Sequence, residues 1–118
     1  MELGIDKSTA NGALVIRVNG ELDVYTAPKL SEALAEGLAG GNKTLVVDLT
    51  RVGFLDSTAL GVLVGGHKKM AAQAVRLSLV IDDPHLSKIF RITGFEDLFT
   101  IYPSVAEAIN REGSAEAD

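Results

Sequence analysis

Leu45-Val46-Val47-Asp48-Leu49, followed shortly by Phe54-Leu55-Asp56-Ser57-Thr58-Ala59-Leu60-Gly61, is the stretch whose reading decides the fold. The first segment is a short apolar run of the kind that forms a buried strand. Beyond it Leu60, Leu63, Val64, Met70 and Ala71 recur at helical spacing, which predicts a helix from Ser57 or Thr58 to Gln73. Three small polar residues, Asp56, Ser57 and Thr58, stand at the junction. Side-chain oxygens of this kind accept hydrogen bonds from the backbone N–H groups left unpaired at a helix start. Either Asp56 or Ser57 is therefore expected to cap the helix. A serine hydroxyl there is exposed at the tip of a strand–turn–helix unit, inside the positive backbone field of the helix N-terminus. Ser57 is thus the best candidate for chemistry in the chain.

Toward the N-terminus, Leu3 to Thr9 alternates weakly, Asn11-Gly12 is a turn dipeptide that favours positive φ, and Ala13 to Asn19 is strand-like. Together they predict a β-hairpin. Gly20-Glu21-Leu22-Asp23 leads into Val24-Tyr25-Thr26-Ala27-Pro28, where Thr26 can cap and Pro28 fits a first helical turn. Leu30, Leu34 and Leu38 then mark an amphipathic helix over residues 27–39, stopped by Gly40-Gly41-Asn42. Glu21 and Asp23 fall in the expected turn between strand and helix.

Within the Ser57 helix, Gly61, Gly65 and Gly66 each cost about 1 kcal/mol relative to alanine. The simplest compensation is close approach of the sheet or a neighbouring helix; the alternative is a partner helix lying across an exposed edge. Val75 to Ile81 alternates as a strand with one buried face, and Asp83-Pro84 opens a helix with Leu86, Ile89 and Phe90 as its apolar stripe. Gly94 ends that helix, Phe99 to Tyr102 is a short last strand, and Ser104 with Glu107 forms a capping box for a final helix.

The order ββαβαβαβα predicts an α/β fold. Its sheet is mixed but mostly parallel, an N-terminal hairpin adds the antiparallel edge, and the helices lie mainly on one face. The expected domain is 1–111, with residues 112–118 an acidic disordered tail.

With 118 residues, 47% of them apolar, the chain suits one domain with a real core. Its formal charge of −5 disfavours direct DNA binding, which would need a basic patch. There is no cysteine, hence no thiolate site, and two histidines without ligand spacing imply no metal. No apolar run approaches the roughly 18 residues of a membrane helix, and no signal peptide is recognisable. The expectation is a cytoplasmic domain.

Catalytic motifs fail in turn. Gly61 to Gly66 has the glycine spacing of a phosphate loop, but His67-Lys68 follows where Lys-Ser/Thr is required, and the intervening residues are an apolar helix face. Leu55 and Ala59 flank Ser57 where a hydrolase elbow has glycines. His67 lies nearly two turns beyond Leu60 on the same stripe, too far along the helix to act as the base for Ser57, and His85 sits in another first turn. No enzyme and no cofactor are expected.

Gly20-Glu21-Leu22-Asp23, Val52-Gly53-Phe54-Leu55-Asp56-Ser57-Thr58-Ala59-Leu60-Gly61 and Arg91-Ile92-Thr93-Gly94-Phe95, in this order and spacing, resemble the STAS domain of bacterial anti-sigma factor antagonists over residues 2–110. The resemblance implies the family's βα superhelix after an N-terminal hairpin. It also implies partner switching. The unmodified protein binds an anti-sigma factor, typically a GHKL-type serine kinase, and so frees the sigma factor. Phosphorylation of Ser57, with Thr58 the alternative acceptor, blocks that binding, and a PP2C-type phosphatase restores it. By motif matching, the docking surface comprises Glu21, Asp23, Tyr25, Thr26, Phe54, Asp56, Ser57, Thr58, Leu60 and Gly61. One departure is Ala59, where the family often has glycine; alanine favours helix and stiffens the phosphosite. The other reading is a STAS interaction module serving a different signalling or transporter-regulating assembly.

Overall fold

Asn11 and Gly12 both take positive φ, 51° and 83°, and close a two-residue hairpin between β1 (Gly4–Ala10) and β2 (Ala13–Leu22). The computed structural model describes the backbone of residues 3–117 and the side chains of residues 3–112. After the hairpin come α1 (Ala27–Ala39), β3 (Thr44–Leu55), α2 (Ser57–Ala72), β4 (Arg76–Val80) and α3 (Pro84–Ile92). A 3-10 turn (Phe95–Asp97), β5 (Thr100–Tyr102) and α4 (Val105–Ala117) complete the chain. The sheet order is β1-β2-β3-β4-β5, with β1 antiparallel to β2 and every other pair parallel.

Alternation along the central strands divides the core. Leu14, Ile16, Leu45, Val47, Leu77 and Leu79 point to the face covered by Leu30 and Leu34 of α1, Leu63 and Met70 of α2, and Leu86 and Phe90 of α3. Phe90 meets Phe99 edge-on, ring centroids 5.7 Å apart. Ala13, Val15, Val46 and Val80 point the other way, onto Ala108 of α4. Most helices therefore share one face, as expected, but β4 is not half-exposed. Ser78, read as solvent-facing, is fully buried beneath α4, because α4 crosses β2 to β5.

Three boundaries move. β2 continues through Glu21 to Leu22, so Glu21 is a strand residue and not part of a turn. β3 likewise runs on to Leu55, past the expected end at Leu49. Register shifts fall in its course, between the Arg17↔Asp48 and Asn19↔Arg51 pairs and between Gly20↔Val52 and Glu21↔Phe54. Each places an extra β3 residue against β2, bending the strand without ending it. The helical backbone of α4 carries through the expected disordered tail as far as Ala117; residue 118 lies outside the described residues. Glu112 is buried, and its Oε2 accepts from the Arg76 guanidinium at 2.7 Å, which holds the helix to β4. Burial, then the charge of Glu112, holds the Tyr102 phenol above its ordinary value of 10.0.

Close approach accounts for only some of the helical glycines. A Cβ on Gly37 would lie 2.6 Å from Leu45 Cδ2, and one on Gly66 would lie 2.9 Å from Leu34 Cδ1. So α1 lies close to β3, and α2 close to α1, and a Cβ at either position would need a leucine methyl to shift. Gly61 and Gly65 have nothing within 4 Å of such a Cβ, and their cost of about 1 kcal/mol each is not offset by packing within the chain.

Candidate functional site

Parallel pairing of β2 with β3 builds the site. Glu21 lies opposite Phe54 and Leu22 opposite Leu55, and the Asp56 N–H then donates to the Leu22 carbonyl at 3.0 Å. This brings the two sequence motifs side by side at the carboxyl ends of their strands. The chain turns into α1 from one and into α2 from the other.

Asp56, not Ser57, caps α2. Its backbone is extended, its Oδ1 accepts from the Ala59 N–H at 2.9 Å, and its carbonyl accepts from Leu60 N–H at 3.0 Å. Ser57 and Thr58 are thereby the first two helical residues, and both are exposed. N–H groups at such positions have no acceptor within the helix. The next residues turn inward. Ala59 is fully buried, so its methyl group fills core space that glycine would leave vacant, and Leu60 is only 6% exposed. Leu60, expected on the docking surface, is instead a core residue because the helix stripe that carries it faces the sheet. Gly61 returns to the surface one turn below Ser57.

The β2–α1 turn is a closed hydrogen-bonded unit. Asp23 Oδ1 accepts from the N–H groups of Tyr25 at 2.9 Å and Thr26 at 3.0 Å. The Asp23 N–H donates to Thr26 Oγ1 at 2.9 Å, and that hydroxyl donates to the Glu21 carbonyl at 2.7 Å. Thr26 therefore spends its hydroxyl inside the turn and gives α1 no side-chain cap. The Thr26 N–H holds the Asp23 carboxyl below its ordinary 3.8; desolvation opposes it, and the Tyr25 N–H and Thr26 hydroxyl add to the lowering.

This turn presents Val24 and Tyr25 outward, 54% and 88% exposed, with Phe54 at 49% across the β2–β3 pair. Val24 is not named singly among the expected docking residues, but it lies inside the Glu21–Thr26 loop expected to form the docking surface. Its signal was an apolar side chain inside a turn, between Asp23 and Tyr25. Glu21, Asp23 and Asp56 add negative charge. Among the described residues, the ion pairs join Lys7 to Glu36, Arg76 to Glu112 and Arg111 to Glu107, and none of them involves these three acids.

Neither histidine stands beside the Ser57 hydroxyl. His67 is ten residues beyond Ser57 on the same helix, about 15 Å by helical rise. Its ring packs edge-on against Phe99 at 5.3 Å, and its Nδ1 is buried without a partner. His85 sits in the first turn of α3.

Comparison with known proteins agrees with this geometry. The STAS domain family model matches residues 4–108. An anti-sigma-B factor antagonist of Staphylococcus aureus is 35% identical over 101 residues, 86% of this chain and 94% of the relative. The crystal structure of an anti-sigma factor antagonist from Mycobacterium paratuberculosis superposes with a TM-score of 0.86 at 28% identity, covering 93% of each chain. The Bacillus cell fate determinant SpoIIAA in its phosphorylated form shares the fold, with a TM-score of 0.71 at 24% identity over 92% of this chain and 98% of that one. The sheet order, the Asp56-capped helix and these matches over nearly the whole length lead to one conclusion: the chain belongs to the STAS domain family.

Proposed function

We propose that this chain is an anti-sigma factor antagonist whose unmodified form binds an anti-sigma factor of the GHKL serine-kinase type, releases the sigma factor, and is switched off by phosphorylation of Ser57. The observation that carries this reading is the exposed Ser57 hydroxyl on the first turn of α2, at the strand ends where the paired β2 and β3 also expose Val24, Tyr25 and Phe54. The staphylococcal relatives, 35% identical, are named anti-sigma-B factor antagonists, which supports the same class. The domain works in the cytoplasm, beside a sigma factor; among the described residues no helix is long and apolar enough to cross a membrane.

In this reading the Ser57 hydroxyl is the substrate, and the kinase partner supplies the catalytic groups. The docking surface comprises Glu21, Asp23, Val24, Tyr25, Thr26, Phe54, Asp56, Ser57, Thr58 and Gly61, with the buried Leu60 removed. A phosphate brings about −1.5 to −2 charges. The helix start favours it by about 0.3–1 kcal/mol, while Asp56 and Asp23 oppose it by comparable amounts. The fold is therefore little changed. Covering that dianion with a partner that offers no paired cation costs several kcal/mol, of the order of the roughly 5.5 kcal/mol that inverts a two-state equilibrium from 99:1 to 1:99. Phosphate thus vetoes a complex without remodelling the domain, and a PP2C-type phosphatase resets it.

The test is incubation with candidate serine kinases and ATP, with the phosphate mapped by mass spectrometry and Ser57→Ala used as bait to capture the partner. Labelling at Ser57 that vanishes in Ser57→Ala, with capture of an anti-sigma factor, is the expected result. Undiminished labelling of Ser57→Ala refutes the site, and Thr58 becomes the acceptor to examine. Amide NMR shifts spread far from Ser57 on phosphorylation would refute the veto mechanism.

A further inference from the structure

We infer that the chain has a second site, at the far end of α2 from Ser57, which binds a small zwitterion: a free amino acid with an apolar side chain. The site is a cavity of about 350 Å³ between α2, α4 and the β4–β5 edge, within the roughly 300–1,000 Å³ of small-molecule sites. Ala71, Ala74, Val75 and Leu77, from the end of α2 into β4, form its apolar wall. Arg76 of β4, Tyr102 of β5 and Glu112 of α4 bring polar groups to its lining. His67 also lines it, ten residues beyond Ser57 and so about 15 Å away by helical rise. The cavity therefore shares nothing with the docking surface.

The ion pair in this cavity is only half satisfied. Glu112 is 7% exposed. Its Oε2 accepts from Arg76 Nη2 at 2.7 Å, and its carbonyl accepts from the same nitrogen at 3.3 Å. Glu112 Oε1 and the Arg76 Nε and Nη1 groups have no protein partner among the described residues. Attraction within a buried pair offsets desolvation only when the remaining lone pairs and N–H groups are also satisfied. Charge then decides the class of ligand. A carboxylate alone would meet Arg76 but sit beside Glu112, and an amine alone would meet Glu112 but sit beside Arg76. A molecule with an ammonium and a carboxylate on one carbon matches both. Its ammonium donates to Oε1, and its carboxylate accepts from the guanidinium edge that Glu112 leaves free, the paired fork by which arginine recognises carboxylates. The apolar wall takes the side chain. Such a ligand spans β4 and α4 and ties the last helix to the sheet.

The experiment titrates the isotope-labelled chain with leucine, methionine and phenylalanine as free amino acids, followed by amide NMR. Isocaproate and isoamylamine, which are leucine without its ammonium and without its carboxylate, form the control arms. At least one amino acid is expected to shift the amides of Ala71, Arg76, Thr100 and Tyr102 saturably, with a Kd of about 0.01–10 mM, and both controls are expected to bind at least about tenfold more weakly. Ala71→Leu fills the cavity without touching the ion pair; Ala71 is exposed and leucine is a good helix former, so this variant keeps its fold. It is expected to abolish saturation, and Glu112→Gln to weaken binding at least about tenfold. The bound amino acid should raise the melting temperature of the parent and not that of Ala71→Leu. Absence of saturable shifts with all three amino acids up to about 50 mM overturns the site. Isocaproate or isoamylamine binding as tightly as leucine overturns the zwitterion class. Saturation retained in Ala71→Leu places the ligand elsewhere and also overturns the proposal.

Discussion

Replacing Asp56 by alanine separates its two roles, cap and charge. The cap is one hydrogen bond, from the Ala59 N–H to Oδ1 at 2.9 Å, at the start of a helix whose Leu60, Leu63 and Met70 anchor the core. Loss of such a cap costs about 1 kcal/mol, within a range of roughly 0.5–2. Loss of a carboxylate from the helix N-terminus adds about 0.3–1 kcal/mol, reduced by relief of repulsion from Asp23. Asp56→Ala is therefore expected to destabilise by about 1–2 kcal/mol. In a chain of 118 residues that lowers Tm by roughly 4–8 °C. Asp56→Asn keeps an oxygen at the cap and removes only the charge, so it should cost about 0.5 kcal/mol. Urea unfolding analysed with a common m-value measures both. Asparagine as damaging as alanine, or alanine within about 0.3 kcal/mol of the parent, would refute the capping argument.

The glycines and Asp23 make further tests. Gly61→Ala should stabilise by up to about 1 kcal/mol, since it improves helix propensity and meets no neighbour. Gly37→Ala should destabilise by about 1–3 kcal/mol, because its methyl group would press on Leu45 and Leu14; equal effects at the two positions would contradict the packing described. Asp23 has a lowered folded-state pKa, so its contribution to stability is complete above the ordinary 3.8 and fades as pH falls through the lowered value. Carboxyl NMR should place its midpoint below 3.8, with the Tyr25 and Thr26 amides shifting on the same curve; a midpoint at or above 3.8 would contradict the turn geometry.

Much of the architecture was legible in local patterns. Asn11-Gly12 announced the hairpin through its positive φ values, and Leu30 and Leu34 marked the buried stripe of α1. The coverage of the second face was missed, although Ala13 to Ile16 and Leu45 to Val47 are unbroken apolar runs, and unbroken runs belong to strands buried on both sides. The length of β3 is not legible in the sequence, because Thr50, Arg51 and Gly53 interrupt the apolar run after Leu49 while irregular pairing carries the strand through them. At the site, exposure of Ser57 followed from the strand–helix junction, but the choice between Asp56 and Ser57 as cap depended on backbone geometry. Thr26 looked like a cap by residue type, and only the fold shows its hydroxyl bound to the Glu21 carbonyl. Gly61 and Gly65 were conspicuous as costs, but whether a neighbour fills the space above them is a tertiary fact.

The central claim is that Ser57 carries a charge-based veto on one complex. Its most direct test compares the affinity of the anti-sigma partner for the unmodified chain and for the chain phosphorylated stoichiometrically at Ser57, by calorimetry in the same buffer. The account predicts a loss of at least about a hundredfold, equivalent to about 2.7 kcal/mol, with the amide spectrum unchanged away from the first turn of α2. Equal affinity of the two forms, or tighter binding of the phosphorylated one, would contradict it.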